Sequence, residues 1–67
     1  MMKFAENLKN WRISQGILQK DLAKRLNVSE QTISHWETGY ATPNIEQLIA
    51  LADFFDTTID ELIGRTL

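Results

Sequence analysis

The chain contains no cysteine, a single proline, three glycines and no apolar run long enough to matter to a membrane. Without cysteine, neither a disulfide framework nor a thiolate metal site is available, which fits a reducing, cytoplasmic setting. The richest apolar stretch, 48–55, is interrupted by Asp53 and falls far short of the roughly 20 residues a bilayer requires. No basic-then-apolar leader precedes it, so secretion is not expected. Scarce glycine and proline, with few β-branched alternations, favour an all-α domain. At 67 residues, 43% of them hydrophobic, the chain suffices for one core and one domain, 1–67, near the lower limit for folding without a staple.

Basic residues are also few, and the net charge is −2 with a pI near 5.2. Their placement is uneven. Residues 1–27 carry six cations, Lys3, Lys9, Arg12, Lys20, Lys24 and Arg25, against Glu6 and Asp21, a net +4. Residues 28–67 set only Arg65 against seven acids, a net −6. Such polarity lets one end face phosphate while the other points away, although two solvated helix surfaces would give the same count.

Five helices follow from periodicity and end signals. Phe4, Leu8 and Trp11 form one stripe over about 3–15, ended by Gly16. A second helix starts near Gln19, buries Leu22, Ala23 and Leu26, and carries an Asp21–Arg25 pair at i, i+4. Asn27, tolerant of the left-handed region, turns the chain. Ser29 caps the third helix, with Glu30 at its positive end, a Val28–Ile33 staple, and Ile33 and Trp36 inward. Asn44 and Gln47 start a fourth helix whose stripe reads Ile45, Leu48, Ile49, Ala52 and Phe55. Thr58 and Glu61 make a full capping box for a last helix ended by Gly64.

The third helix leaves Glu30, Gln31, Thr32, Ser34 and His35 outward. These are hydrogen-bonding side chains of the kind that read base edges in a DNA major groove. Gln31 is the foremost, because an amide can pair with adenine N6 and N7 together. Each also has an ordinary reading as helix surface. Lys20 and Lys24 are the first choices for phosphate contacts, with Lys9 and Arg25 behind them, and about 3–4 neutralised phosphates would give a shallow salt dependence. Trp11 and Trp36 lie on inward stripes, which favours core packing over base stacking. The lone histidine has no metal partner, a catalytic role would need an orienting carboxylate and a nucleophile in a cleft, and no acid/base constellation, metal cluster or Gly-rich phosphate loop occurs, so neither an enzyme nor a cofactor is expected.

Taken in order, LKNWR with Gly16, QKDLAKRLNVS, TISHWETG with a proline soon after, and IDELI resemble the phage-repressor-like helix-turn-helix family. This is the fold of lambda-type repressors, Cro and the xenobiotic-response-element type of regulator. The resemblance spans about 4–63 and implies a five-helix, lambda-repressor-like DNA-binding domain with its helix-turn-helix at about 19–38. It further implies that Gln19 touches phosphate and braces the third helix. Tyr40, Thr42 and Asn44 would meet the sugar-phosphate backbone, and Arg12 with Glu37 would form a buried structural ion pair. Leu18 departs from the usual capping hydroxyl, Tyr40 from a common cation, and acidic Glu30 opposes the phosphate field.

The expected function is a sequence-specific regulator of double-stranded DNA, most simply a repressor occluding a promoter. A homodimer on a palindromic operator would place two reading helices one DNA turn apart. Spare apolar residues Phe54, Ile59, Ile63 and Leu67 are the candidate dimer surface, though they could instead complete the monomer core. An antitoxin with a protein partner, and an adaptor that binds RNA or protein, remain alternatives.

Overall fold

The computed structural model describes residues 3–64, and among them the regular structure is all helical. Five helices occur: α1 (Phe4–Ser14), α2 (Gln19–Leu26), α3 (Glu30–Thr38), α4 (Ile45–Phe55) and α5 (Ile59–Ile63). Local end signals set the helix boundaries. Asn27 is left-handed at φ 58, the Ser29 hydroxyl accepts from Thr32 N–H, and Gly39 closes α3 at φ 81. Asn44 and Gln47 complete a reciprocal capping box, with Gln47 N–H donating to Asn44 Oδ1 at 2.8 Å and Asn44 N–H to Gln47 Oε1 at 2.9 Å. Leu18 offers α2 no side-chain cap, as its chemistry dictates.

Each helix contributes to one core: Phe4 and Leu8, Leu22 and Ala23, Ile33 and Trp36, Leu51, Ala52 and Phe55, and Leu62. α3 packs between α1 and α2, while α5 closes on α1 and α4. Trp36 is buried, and Trp11 is half-buried with its ring centroid 5.9 Å from that of Phe55. Both tryptophans therefore serve packing.

Three local expectations fail, each for a tertiary reason. The inward stripe of α4 is Leu48, Leu51, Ala52 and Phe55, whereas Ile45 and Ile49 stand 68% and 47% exposed. Both stripes obey helical spacing, and contact with α2 and α5 selects between them. The Asp21–Arg25 pair does not form. The Arg25 guanidinium lies instead 5.0 Å from the Phe54 ring centroid. An exposed i, i+4 pair is worth a few tenths of a kcal/mol, and a cation over an aromatic face about 0.5–1. Thr58 caps α5 through Glu61 N–H, but the Glu61 carboxylate turns away from completing the box and accepts the Thr57 hydroxyl at 3.0 Å.

The end of α5 is stitched to the start of α1. Lys3 N–H donates to Ile63 C=O at 2.9 Å, and the Asn7 amide donates to Leu62 C=O at 3.2 Å. Gly64 turns at φ 77 directly against this seam: a Cβ there would sit 3.0 Å from Asn7 Nδ2 and 3.4 Å from Lys3. Gly64→Ala is therefore expected to cost about 1–2 kcal/mol and to lower Tm by several degrees. Gly16→Ala, with a similar φ of 69 but open space around it, should cost less. Thermal melts of the two variants check the order.

Candidate nucleic-acid interface

The candidate interface is built on the turn between α2 and α3. Only Asn27, Val28 and Ser29 separate the helices, and Val28 N–H donates to Ala23 C=O at 3.0 Å, folding the turn back on α2. Val28 packs against the core that holds Ile33, so the corner is clamped from inside. With Ile33 and Trp36 buried, the opposite stripe of α3 must carry Gln31, Ser34, His35 and Thr38, at i, i+3, i+4 and i+7. Nine residues make a rod roughly 13 Å long, comparable with the width of a major groove.

The expected base-contacting residues separate on this geometry. Gln31 is exposed on the outer stripe, and Ser34 and His35 flank it half-buried. Glu30 is exposed at the first turn of α3, beside that stripe rather than on it. Thr32 is turned toward the cap, its hydroxyl 2.8 Å from Ser29 Oγ. Thr38 belongs to the outer stripe and was not singled out from sequence. Its spacing of seven from Gln31 was the available signal.

The rod is braced from behind. Arg12 Nε donates to Glu37 Oε2 at 2.6 Å and Arg12 Nη2 to Glu37 Oε1 at 3.1 Å, a two-pronged pair joining α1 to α3. Arg12 Nη1 also donates to Ile17 C=O at 2.8 Å, and Gln19 Nε2 donates to Glu37 Oε1 at 3.0 Å. The two charged side chains are 11% and 3% exposed, so the pair is largely shielded from solvent between α1 and α3. The hydrogen bond to Glu37 raises the Arg12 pKa, working against burial and with the carboxylate's charge. Gln19 thus ties α2 to α3 through Glu37, and its amide keeps a second N–H that can donate to phosphate.

Around the rod lie further donors. Lys20 and Lys24 are exposed on α2, and Tyr40, Thr42 and Asn44 are exposed in the following loop. Asn44 spends its carbonyl oxygen on the α4 cap and keeps its amide hydrogens. Phe54, Ile59 and Ile63 are half-buried and pack against the core, so each keeps only part of its surface, and Leu67 lies outside the described residues. A surface depression of about 380 Å³ is lined by Phe4, Trp36, Pro43, Leu48, Ile63 and their neighbours, with no titratable side chain among them. Among the described residues no acidic, histidine or cysteine cluster could hold a metal ion. No described helix is long and apolar enough to cross a membrane.

A capped pair of short helices, locked by a left-handed corner and braced to a helical bundle, defines a helix-turn-helix domain. Comparison with known proteins agrees. The helix-turn-helix family model matches residues 8–62, and the chain belongs to that family. It is 44% identical over 63 residues, 94% of its length, to the HTH-type transcriptional activator BcrR of Enterococcus faecalis, spanning 31% of that protein. A transcriptional regulator from Listeria innocua superposes with a TM-score of 0.95 at 37% identity, over 100% of this chain and 63% of that one. The P22 c2 repressor, solved with a synthetic operator, superposes with a TM-score of 0.87 at 32% identity, over 94% of this chain and 96% of that one. The phage-repressor-like resemblance read from the sequence therefore holds. The chain spans 31%, 44% and 50% of the length of the curated relatives first matched.

Proposed function

We propose that this domain binds double-stranded DNA in a sequence-specific way and thereby regulates transcription. The single observation that carries the reading is the outer stripe of α3: uncharged hydrogen-bonding side chains on a rod held rigid by the Arg12–Glu37–Gln19 brace. A helix about 10–12 Å across with its side chains fits the groove and presents Gln31 to its floor, while Gln19, Lys20, Lys24, Tyr40, Thr42 and Asn44 supply donors to phosphates on either side. Glu30 suits acceptance from a cytosine N4 amine. The similarity to both an activator and a repressor supports regulation in either direction. The site is a binding surface without acid, base or nucleophile arranged for turnover, so no catalytic activity is proposed.

One α3 reads only a few base pairs, so we further propose that two copies occupy a palindromic operator. Phe54, Ile59 and Ile63 can lend part of their surface to that contact, and Ile45 and Ile49 on α4 expose more. Selection from a random duplex pool tests the whole reading. It should enrich a two-fold symmetric site with half-sites about one turn, roughly 34 Å, apart, bound by two chains. A pool without enrichment overturns DNA binding, and an enriched single half-site bound by one chain overturns the dimer.

On the selected site, Gln31→Ala should weaken binding by about 1–3 kcal/mol and flatten the preference at one base pair in each half-site. Lys24→Ala should weaken all sequences alike and reduce the salt slope by about one. Titrations at two salt concentrations distinguish the two behaviours.

A further inference from the structure

Tyr40 is 80% exposed, the most exposed large hydrophobic residue among those described, yet its ring is not free. Its centroid lies 4.6 Å from that of His35, with the planes inclined at 47°. The local backbone explains how this arises. Gly39 takes φ 81 and reverses the chain at the end of α3, sending residue 40 back along the helix it has just left. Ala41 N–H then donates to His35 C=O at 3.2 Å, and the Thr38 hydroxyl donates to the same carbonyl at 3.3 Å. The loop is thus moored to His35 twice, through its main chain at residue 41 and through the ring of Tyr40.

From this geometry we propose that Tyr40 is a positioning residue for His35, fixing the orientation in which the imidazole meets the base pair beneath it. The inference rests on the DNA-binding reading and deepens it. An unsupported histidine on a helix surface samples several rotamers, and binding must then select one at an entropic cost. A ring laid against it narrows that choice before DNA arrives, which favours the base whose edge matches the preset imidazole. Tyr40 then influences sequence preference through packing, in addition to any phosphate contact by its hydroxyl. The aromatic plane matters for this role and the hydroxyl does not.

The test uses the duplex selected by the wild-type chain and a panel varied at each base pair of the half-site. Tyr40→Ala should reduce discrimination about two- to tenfold at the base pair whose preference His35→Ala also loses. Tyr40→Phe should retain that discrimination. In a His35→Ala background, Tyr40→Ala should change it no further. Tyr40 is exposed and His35 half-buried, and equal melting temperatures would certify that the variants are folded. NMR of the free protein gives a reading independent of DNA: the His35 ring protons should lose a ring-current shift in Tyr40→Ala and keep it in Tyr40→Phe. Three results would overturn the proposal. Tyr40→Phe could weaken all duplexes uniformly with Tyr40→Ala leaving preference intact, the Tyr40 and His35 effects could add independently, or the His35 ring signals could be indifferent to Tyr40. A wild-type chain that enriches no sequence would instead defeat the underlying DNA-binding reading.

Discussion

Arg12→Ala is expected to destabilise the domain by about 3–5 kcal/mol, because it leaves the Glu37 carboxylate buried without its counter-ion. A chain of this length has only about 3–10 kcal/mol of total stability, so the variant should be largely unfolded near 37 °C. Urea unfolding at low temperature, followed by the fluorescence of Trp11 and Trp36, measures the loss. Lysine is not a substitute, since it cannot bridge both carboxylate oxygens and the Ile17 carbonyl in a fixed plane. Gln19→Ala should cost less, about 1 kcal/mol, because Arg12 still satisfies Glu37. Joint replacement by Met at 12 and Leu at 37 should recover most of the stability lost in Arg12→Ala, since two matched apolar groups strand no charge.

The same pair sets a pH expectation. Folding raises the Arg12 pKa, so its stabilising contribution is whole at every pH below its ordinary value and is lost only in strong alkali. The stability gap between wild type and Arg12→Ala should therefore stay level from about pH 7 to 9. A gap that closes over that window would show that another titrating group governs the brace.

Leu51→Ala should cost about 2–5 kcal/mol, and its neighbour Ile49→Ala less than about 0.5. Leu51 has no exposed surface, and its truncation opens a cavity among helices that cannot collapse around it. Ile49 is 47% exposed and gives up far less burial on truncation. Equal midpoints for the two variants in urea would mean that the inward stripe of α4 is misassigned. A partner copy that covered Ile49 in the proposed dimer would narrow this order, adding a concentration-dependent penalty to Ile49→Ala alone.

Most of the candidate surface is legible in the sequence, because its signals are local. Ser29 caps α3 through bonds within four residues, Asn27 is one of the few side chains that tolerate its φ, and Ile33 with Trp36 assigns the inner face of α3 by spacing alone. Once that face is assigned, Gln31, Ser34 and His35 must point the other way, and Thr38 with them. Arg12–Glu37 came from the family resemblance, since nothing local links residues 25 positions apart.

Tertiary structure decided the cases in which two local solutions were equally good. α4 is apolar on two overlapping stripes, and only its neighbours α2 and α5 chose Leu51 over Ile45 and Ile49. Arg25 has an acid one turn away and a ring on another helix, and its guanidinium lies over the ring, which only the packed fold brings within reach. Tyr40 carried no periodic signal in its loop, and its place on His35 follows from a single left-handed glycine and the bonds that return the chain. Sequence by itself therefore determined where helices start and stop and which face of α3 is polar, because caps and periodicity act over a few residues. Packing determined which side chains hold that face still, because those partners meet only when the chain has closed on itself.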